Sequence, residues 1–233
     1  MTRPVVLFSS GLDSAVLLVQ TAQRYGGAQP IYVRAGLAWE DEEQACAQRF
    51  LAALPPESGV GDLVVLDVDM RDVYPASHWA IRGEAPGFDT PDEDVYLEGR
   101  NVVLLSKTAV FAARTGSDRI VIGPLAGNPF PDARPEFFET MARALSLGLN
   151  TSLAIEAPFL ALHKPDVIRI GTELGVRFDL TLSCMQPVGD PALHCGRCSK
   201  CRERKDAFAE AGLTDPAFAH ATTNSQLPNP KKT

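Results

Sequence analysis

The sequence predicts an α/β fold, a doubly wound parallel sheet with helices on both faces, followed by a metal-binding segment near the C-terminus. Three observations carry this. Short β-branched and aromatic runs alternate with longer helix-patterned stretches through most of the chain, the pattern of a helix-covered parallel sheet. Every distinctive loop follows a strand run, so the loops gather at the carboxyl edge of the sheet, where such folds bind ligands. Four of the five cysteines crowd between Cys184 and Cys201. The 233 residues are 45% hydrophobic and 22% charged, an ordinary globular balance that excludes disorder as the main state.

The elements follow in order. Val5-Val6-Leu7-Phe8 is too short for a helix and reads as the first, buried strand. Ser9-Ser10-Gly11 leads into a helix over 13–25, with Ala15, Leu18, Val19 and Ala22 as its apolar stripe and Gly26-Gly27 as its stop. Ile31-Tyr32-Val33 is the second strand. A helix over 40–54 opens on Glu40, Asp41, Glu42 and Glu43, which suit the positive end of the helix dipole, and Pro55-Pro56 ends it. The third strand covers 63–68. Residues 70–99 have no clear period and several prolines and glycines. They read as a long irregular excursion of a kind that is often functional. A helix covers 100–115 and a fourth strand 120–123. After the loop 124–134, Pro135 opens a helix to 149. A fifth strand covers 153–157, Pro165 opens a helix to 174, and the last helix covers 202–211. The polar tail from Thr222 is expected to fray.

Charge and patterning exclude several classes. The chain has 22 basic and 29 acidic residues, a net charge of −7, which disfavours sequence-independent binding to a phosphate backbone. No run approaches the roughly 18 apolar residues of a membrane span. Met1-Thr2-Arg3-Pro4 enters the first strand without a secretory layout. The expectation is a cytoplasmic protein with neither a membrane nor a nucleic-acid partner.

Phe8-Ser9-Ser10-Gly11-Leu12-Asp13-Ser14 joins the first strand to the first helix. Small residues there leave backbone N–H groups exposed at the positive end of a helix, a site for an anion and most often phosphate. The loop has neither the Gly-Lys-Ser/Thr of a Walker A motif nor three spaced glycines. Read alone, it also suits an ordinary strand–helix turn with Asp13 as N-cap.

Cys195-Gly196-Arg197-Cys198-Ser199-Lys200-Cys201 holds two overlapping CxxC units, and ten residues separate Cys184 from Cys195. Four thiolates suit a closed tetrahedral zinc site, structural because no coordination position stays open. Arg197, Lys200 and Arg202 would offset its negative charge. An iron–sulfur cluster and an exposed redox thiol are the alternatives. His194 reads as a surface residue. Cys46, on a helix face with Phe50 and Leu54, reads as a core thiol.

The phosphate loop resembles the SGGxDS signature of the PP-loop family, the N-type ATP pyrophosphatases, with Ser9-Ser10-Gly11 in place of Ser-Gly-Gly. Further segments narrow the likeness. They are the Cys-x10-Cys-x2-Cys-x2-Cys pattern, Gly99-Arg100-Asn101 (a GRN segment), residues 130–137 from Phe130-Pro131-Asp132-Ala133 onward (a YPDCRxEF segment), and Ala157-Pro158-Phe159 with Lys164-Pro165. From Val5 to about Phe208 the chain resembles the 7-cyano-7-deazaguanine synthase family.

The resemblance implies an adenine nucleotide alpha hydrolase-like fold and an ATP-dependent carbon–nitrogen ligase of queuosine biosynthesis. ATP would adenylate 7-carboxy-7-deazaguanine, ammonia would displace AMP to give the amide, and a second activation would permit dehydration to the nitrile. Implied cofactors are structural zinc, ATP as co-substrate and Mg2+. Phe8, Ser9, Ser10, Gly11, Leu12, Asp13 and Ser14 would form the phosphate site together with Arg100, Asn101 and Lys164. Asp13 would order the loop or a magnesium ion, and Arg100 and Lys164 would stabilise phosphate charge. Asp132 would bind magnesium or orient substrate, and Arg134 would pair with a carboxylate or with Asp132. The division implied is an ATP-binding domain over 1–180, a zinc-binding segment over 181–221 and a flexible tail over 222–233. A homodimer is left open.

The chain departs from the family at Val33-Arg34-Ala35-Gly36-Leu37, at 124–129 and at Met185-Gln186-Pro187, all near the substrate. Other readings therefore stand beside the synthase; a non-catalytic zinc module that binds nucleotide only would require loss of the phosphate loop, which is mostly intact, and two more remain. One is a PP-loop ligase that stops at an amide or takes another acid. The other is a tRNA-modifying PP-loop enzyme, against which the acidic balance and the lack of a spare strand-end cysteine argue.

Overall fold

A computed structural model describes residues 3–218; the tail expected to fray lies outside the described residues. The elements are β1 (Val5–Leu7), α1 (Leu12–Tyr25), β2 (Gln29–Arg34), α2 (Glu40–Ala52), β3 (Val64–Asp67), α3 (Trp79–Arg82), α4 (Arg100–Thr115), β4 (Arg119–Val121), α5 (Pro135–Leu149), β5 (Ala154–Glu156), α6 (Lys164–Glu173) and α7 (Ser199–Ala211). The strands form one parallel sheet in the order β3-β2-β1-β4-β5. The chain starts at the centre, winds outward to β3, and crosses back through α4 to β4. That is the doubly wound arrangement the sequence predicts, and its switch point lies between β1 and β4.

The pleat sorts β1 between two layers. Val6 and the following Phe8 enter a core with Val16 and Leu17 of α1, Ile168 of α6 and Phe208 of α7. Val5 enters the opposite core with Leu105 and Ala109 of α4 and Phe138 of α5.

Two elements differ from expectation. The excursion 70–99 contains α3 and a 3-10 turn over Asp92–Val95. It builds its own apolar cluster, in which Tyr74, Ala80, Val95 and Leu97 pack on Leu37, Trp39 and Met185. Its period was invisible because the apolar residues answer to a surface assembled from distant segments. The last helix begins at Ser199 rather than 202, with Cys198 as N-cap. The second CxxC turn is thus the first turn of α7. No helix among the described residues is long and apolar enough to cross a membrane.

Gly171 sets the approach of α6 to α1. A Cβ there would lie 2.5 Å from Phe178 Cζ and 2.6 Å from Val16 Cγ2. Gly171→Ala gains helix propensity, yet overpacking should dominate and destabilise the fold by about 1–3 kcal/mol. Urea unfolding monitored by circular dichroism checks this, and an unchanged or higher midpoint would contradict the packing account.

Candidate functional site

The phosphate loop is shaped by hydrogen bonds inside it and beneath it. Phe8 N donates to Ile31 O (2.8 Å), keeping the chain extended past β1. Ser14 Oγ donates to Gly11 O (3.0 Å), and Ser9 N donates to Ser14 Oγ (3.3 Å). Ser10 adopts φ 60°, a left-handed conformation that favours glycine. Ser10 is fully buried, and its Oγ donates to Glu43 O (3.0 Å). Gly11 is the N-cap of α1 and makes no side-chain cap bond. The first N–H groups of α1 are therefore not consumed by a capping side chain, as an anion site requires. The alternative of Asp13 as N-cap does not hold, because Asp13 lies within the first turn.

Asp13 faces a buried cation instead. Its Oδ2 lies 3.0 Å from Lys164 Nζ, and its Oδ1 is buried without a hydrogen-bond partner. Lys164, the first residue of α6, also contacts Glu203 Oε1 of α7 at 2.7 Å, and Lys200 Nζ holds Glu203 Oε2 at 2.7 Å. Burial alone would lower the Lys164 pKa, but the charges of Asp13 and Glu203 outweigh it and hold the ammonium above its ordinary range. Burial likewise opposes ionisation of Glu203, yet Lys164 and Lys200 draw it down to about 2.

Two adjoining cavities open at this edge. One, of about 310 Å³, is lined by the phosphate loop, Tyr32, Glu43, Arg100, Asn101 and Asp132, among others. The other, of about 530 Å³, is lined by the loop after β4 and by His163, Lys164 and Glu203. Asp13 and Lys200 border both. The structure thus brings Ser9, Gly11, Asp13, Ser14, Arg100, Asn101, Asp132 and Lys164 to one cleft. The Leu12 side chain belongs to the core and Ser10 is sealed beneath the loop, so these two can offer only backbone.

Asp132 acts on α4. Its Oδ2 accepts from Asn101 N (2.9 Å), and Asn101 Nδ2 donates to Asp132 O (2.9 Å). The carboxylate caps α4 from a distance and positions Arg100 beside it; burial raises its pKa against that bond. Arg134 is exposed at the N-cap of α5.

Sequence reasoning missed Glu43, Tyr32 and Glu203. Tyr32 Oη donates to Glu43 Oε2 at 2.7 Å. Burial pushes the Glu43 pKa up to about 7, against the pull of Arg100 and Tyr32, and burial beside Glu43 pushes the Tyr32 phenol upward too. Glu40 has a different task, accepting from Ala35 N (2.6 Å) and Gly36 N (3.0 Å) to pin the turn after β2. Four successive acids look alike as a dipole-favoured turn, and only the helix phase separates them.

The cysteines converge as predicted. The four Sγ atoms lie within 4.8 Å of one another, with separations of 3.9 Å for Cys184–Cys198, 3.9 Å for Cys195–Cys201 and 3.5 Å for Cys198–Cys201. A tetrahedron with metal–sulfur bonds of about 2.3 Å has edges of about 3.8 Å, so the set fits a metal such as zinc. Cys195 N and Gln186 N both donate to Cys184 Sγ at 3.3 Å. Gly196 takes φ 73° in the knuckle. The cations expected around the thiolates are mostly engaged elsewhere. Lys200 meets Glu203, Arg202 donates to Phe88 O and Thr90 O, and Arg197 is exposed. His194 is not a surface residue: its Nε2 accepts from Ser183 N (3.0 Å), its ring packs on Phe218, and burial pushes its pKa down to about 4. Cys46 is buried, as expected, and donates to Leu180 O.

A phosphate-type loop at the switch point of a parallel sheet, joined to a four-cysteine knuckle, defines a PP-loop α/β protein with a C-terminal segment whose cysteines could hold a metal. The comparisons narrow this. The family model described as "Queuosine biosynthesis protein QueC" matches residues 3–212, and the chain belongs to that family. Among its relatives, the 7-cyano-7-deazaguanine synthase of Caldicellulosiruptor bescii is 32% identical, covering 92% of this chain and 96% of its own. That of Xanthomonas campestris pv. campestris is 35% identical over 93% and 97%, and that of Paramagnetospirillum magneticum 34% identical over 93% and 98%.

Two outcomes follow. Elemental analysis should find about one zinc per chain, and Cys198→Ala should lose it together with thermal stability; iron with visible absorbance would contradict zinc. Glu43 faces Tyr32, Glu40 and Arg100, and its folded pKa of about 7 lies above the unfolded value of 4.5. The folded state therefore binds more protons between these values, and stability falls as pH rises through that window. Glu43→Gln removes the cost of burying the charge. Its melting temperature relative to wild type should rise from pH 5 to pH 8, by the equivalent of about 1–3 kcal/mol. A constant difference would contradict the assignment.

Proposed function

We propose that the chain is an ATP-dependent synthase that converts 7-carboxy-7-deazaguanine and ammonia to 7-cyano-7-deazaguanine, with zinc held structurally by Cys184, Cys195, Cys198 and Cys201. The observation that carries this is the placement of Asp13 and Lys164 at the phosphate loop, 3.0 Å apart, where Asp13 borders both the cavity lined by Lys164 and the adjoining one lined by Arg100, in a chain whose relatives bear that synthase name.

The chemistry asks for a better leaving group than a carboxylate oxygen. The substrate carboxylate attacks the α-phosphorus of ATP, the bond to pyrophosphate breaks, and an acyl adenylate forms. Ammonia adds to the acyl carbon, AMP leaves with the former carboxylate oxygen, and a proton is released to give the amide. In a second round the amide oxygen attacks the α-phosphorus of another ATP. Loss of AMP and the amide protons leaves the nitrile. The work of the protein is positioning and charge stabilisation. The N-terminus of α1 and the loop N–H groups receive the phosphates, and Lys164 and Arg100 offset the charge that develops on the leaving groups. Asp13 orients Lys164 through Oδ2. The free Oδ1 suits the magnesium ion that accompanies ATP. The four-thiolate site has no open position and takes no chemical step.

Purified protein with ATP, magnesium, ammonium and the deazaguanine acid should yield the nitrile by mass spectrometry, with AMP formed in each round. An accumulating amide would restrict the activity to the first round, and absence of AMP with this acid would refute the assignment. Asp13→Asn leaves Lys164 paired with Glu203 and should lower kcat/KM by about 10²–10³-fold. Wild-type turnover in that variant would remove Asp13 from the mechanism.

A further inference from the structure

We propose that Glu43 recognises the planar base of the acid substrate, accepting the two adjacent N–H groups of a guanine-type edge, with Tyr32 as the residue that positions its carboxylate. This rests on the reading above that the acid is a deazaguanine carboxylate, and it assigns the residue that selects it.

The argument begins with spare acceptor capacity. A carboxylate offers about four acceptor positions; Tyr32 fills one of them at 2.7 Å and the Trp39 side chain donates to another, which leaves about two. Glu43 lines the cavity of about 310 Å³ beside the phosphate loop. Its neighbours in the acidic turn do other work: Glu40 pins the turn after β2, and Asp41 meets Arg34 at 2.8 Å. A carboxylate kept at the wall of a cavity with unfilled acceptor positions is costly unless a ligand supplies donors.

The cavity walls have the shape for a flat ligand. Trp39 stacks on Trp79 with centroids 5.6 Å apart, and Tyr96 stacks on Phe130 at 4.8 Å. All four line the same cavity as Glu43. Aromatic walls with a few convergent polar groups are the usual means of holding and orienting a planar heterocycle.

The donor pattern then distinguishes bases. The Tyr32 phenol is held in its protonated, donating form by its surroundings, so Glu43 serves as the acceptor partner. Burial holds the Glu43 pKa up at about 7 in the empty cavity while Arg100 pulls toward the ionised form, and N–H donors of a bound ligand add to that pull. An ionised carboxylate has two acceptors side by side and no donor. The guanine-type edge presents N1–H and the 2-amino group side by side, whereas the adenine edge presents one donor beside one acceptor. The match is to the acid and not to the adenine of ATP.

The test compares wild type, Glu43→Gln and Tyr32→Phe on 7-carboxy-7-deazaguanine and on its analogue lacking the 2-amino group. ATP binding is measured separately by calorimetry. Wild type should prefer the amino-bearing acid by about 10-fold to 100-fold in kcat/KM. Glu43→Gln turns one acceptor toward the ligand as a donor. It should raise KM for that acid at least about 30-fold, lose the preference between the two acids, and bind ATP within about twofold of wild type. Tyr32→Phe should raise KM less and leave kcat nearly unchanged. Unchanged KM in Glu43→Gln, or weakened ATP binding with KM for the acid intact, would overturn the proposal. Should Glu43→Gln fail to fold, equal use of the two acids by wild type would still overturn it. Wild type that makes no AMP with either acid would instead refute the functional reading beneath it, an outcome separable from the others.

Discussion

The ammonium of Lys164 sits between Asp13 Oδ2 and Glu203 Oε1, and much of the architecture follows from that one constraint. A buried cation needs partners, and its two partners come from opposite ends of the chain. One belongs to the phosphate loop between β1 and α1, the other to α7 beyond the cysteines. The lysine itself opens α6. Three segments must therefore arrive together, and Lys200 on Glu203 brings the set to neutral. Removing Lys164 would leave the Asp13 carboxylate without its cation at several kcal/mol of cost, although the intact set contributes little net stability. The triad thus specifies an arrangement more than it strengthens one. It also explains why a metal-binding knuckle with no open coordination position accompanies a phosphate site. The knuckle builds the first turn of α7, and α7 delivers Glu203.

The same helix is fastened on its other sides. Arg204 is fully buried. Its Nε and Nη2 meet Asp215 at 2.7 and 2.9 Å, its Nη1 donates to Thr181 Oγ1 at 2.7 Å, and its Nη2 also reaches Phe178 O at 2.9 Å. A guanidinium can be buried only when its donors are met in this way. Cys201, Arg204 and Phe208 recur at helical spacing on the buried side of α7, one binding into the thiol cluster, one into the ion pair and one into the main core. Glu203 leaves the helix in a different direction, toward the cleft. A short helix thereby couples three surroundings without a hydrophobic face of its own length.

What was legible in the sequence was what local chemistry determines. The bounds of α4 and α5 were readable because Gly99, Gly116 and Pro135 punctuate them. The cysteine spacing was readable because a CxxC turn has one geometric purpose. The phosphate loop was readable from small residues between a strand and a helix. What failed depends on partners far along the chain. His194 looked like a surface residue because its partner, Ser183 N, is set by how the knuckle folds. The bond from Asn101 N to Asp132 crosses 31 positions and has no local signal, so the hold of Asp132 on α4 could not be read. Glu203 lay unnoticed among the charges of a polar helix, where no pattern marks the one acid that turns inward. Glu43 was seen but assigned to the helix dipole, a role its three neighbours fill equally well on paper.

Ser10 shows how a departure from a motif can be absorbed. The PP-loop signature has a glycine where this chain has Ser10, and the backbone keeps the left-handed φ of 60° that glycine would adopt freely. A non-glycine residue there costs on the order of 1 kcal/mol. The hydroxyl offsets part of that by donating to Glu43 O, while Leu182 N donates to the Ser10 carbonyl at 2.9 Å. Both bonds run from the phosphate loop into other segments, one into α2 and one into the chain leading to Cys184. A glycine could supply only the second. The substitution therefore exchanges backbone freedom for a tie between the loop and the helix that carries Glu43. The loop at the N-terminus of α1 and the helix facing the cavity beyond it are thereby joined by a side-chain bond. A departure that reads from sequence as erosion of a nucleotide motif is, in the fold, a bond that sets the spacing between two halves of one cleft.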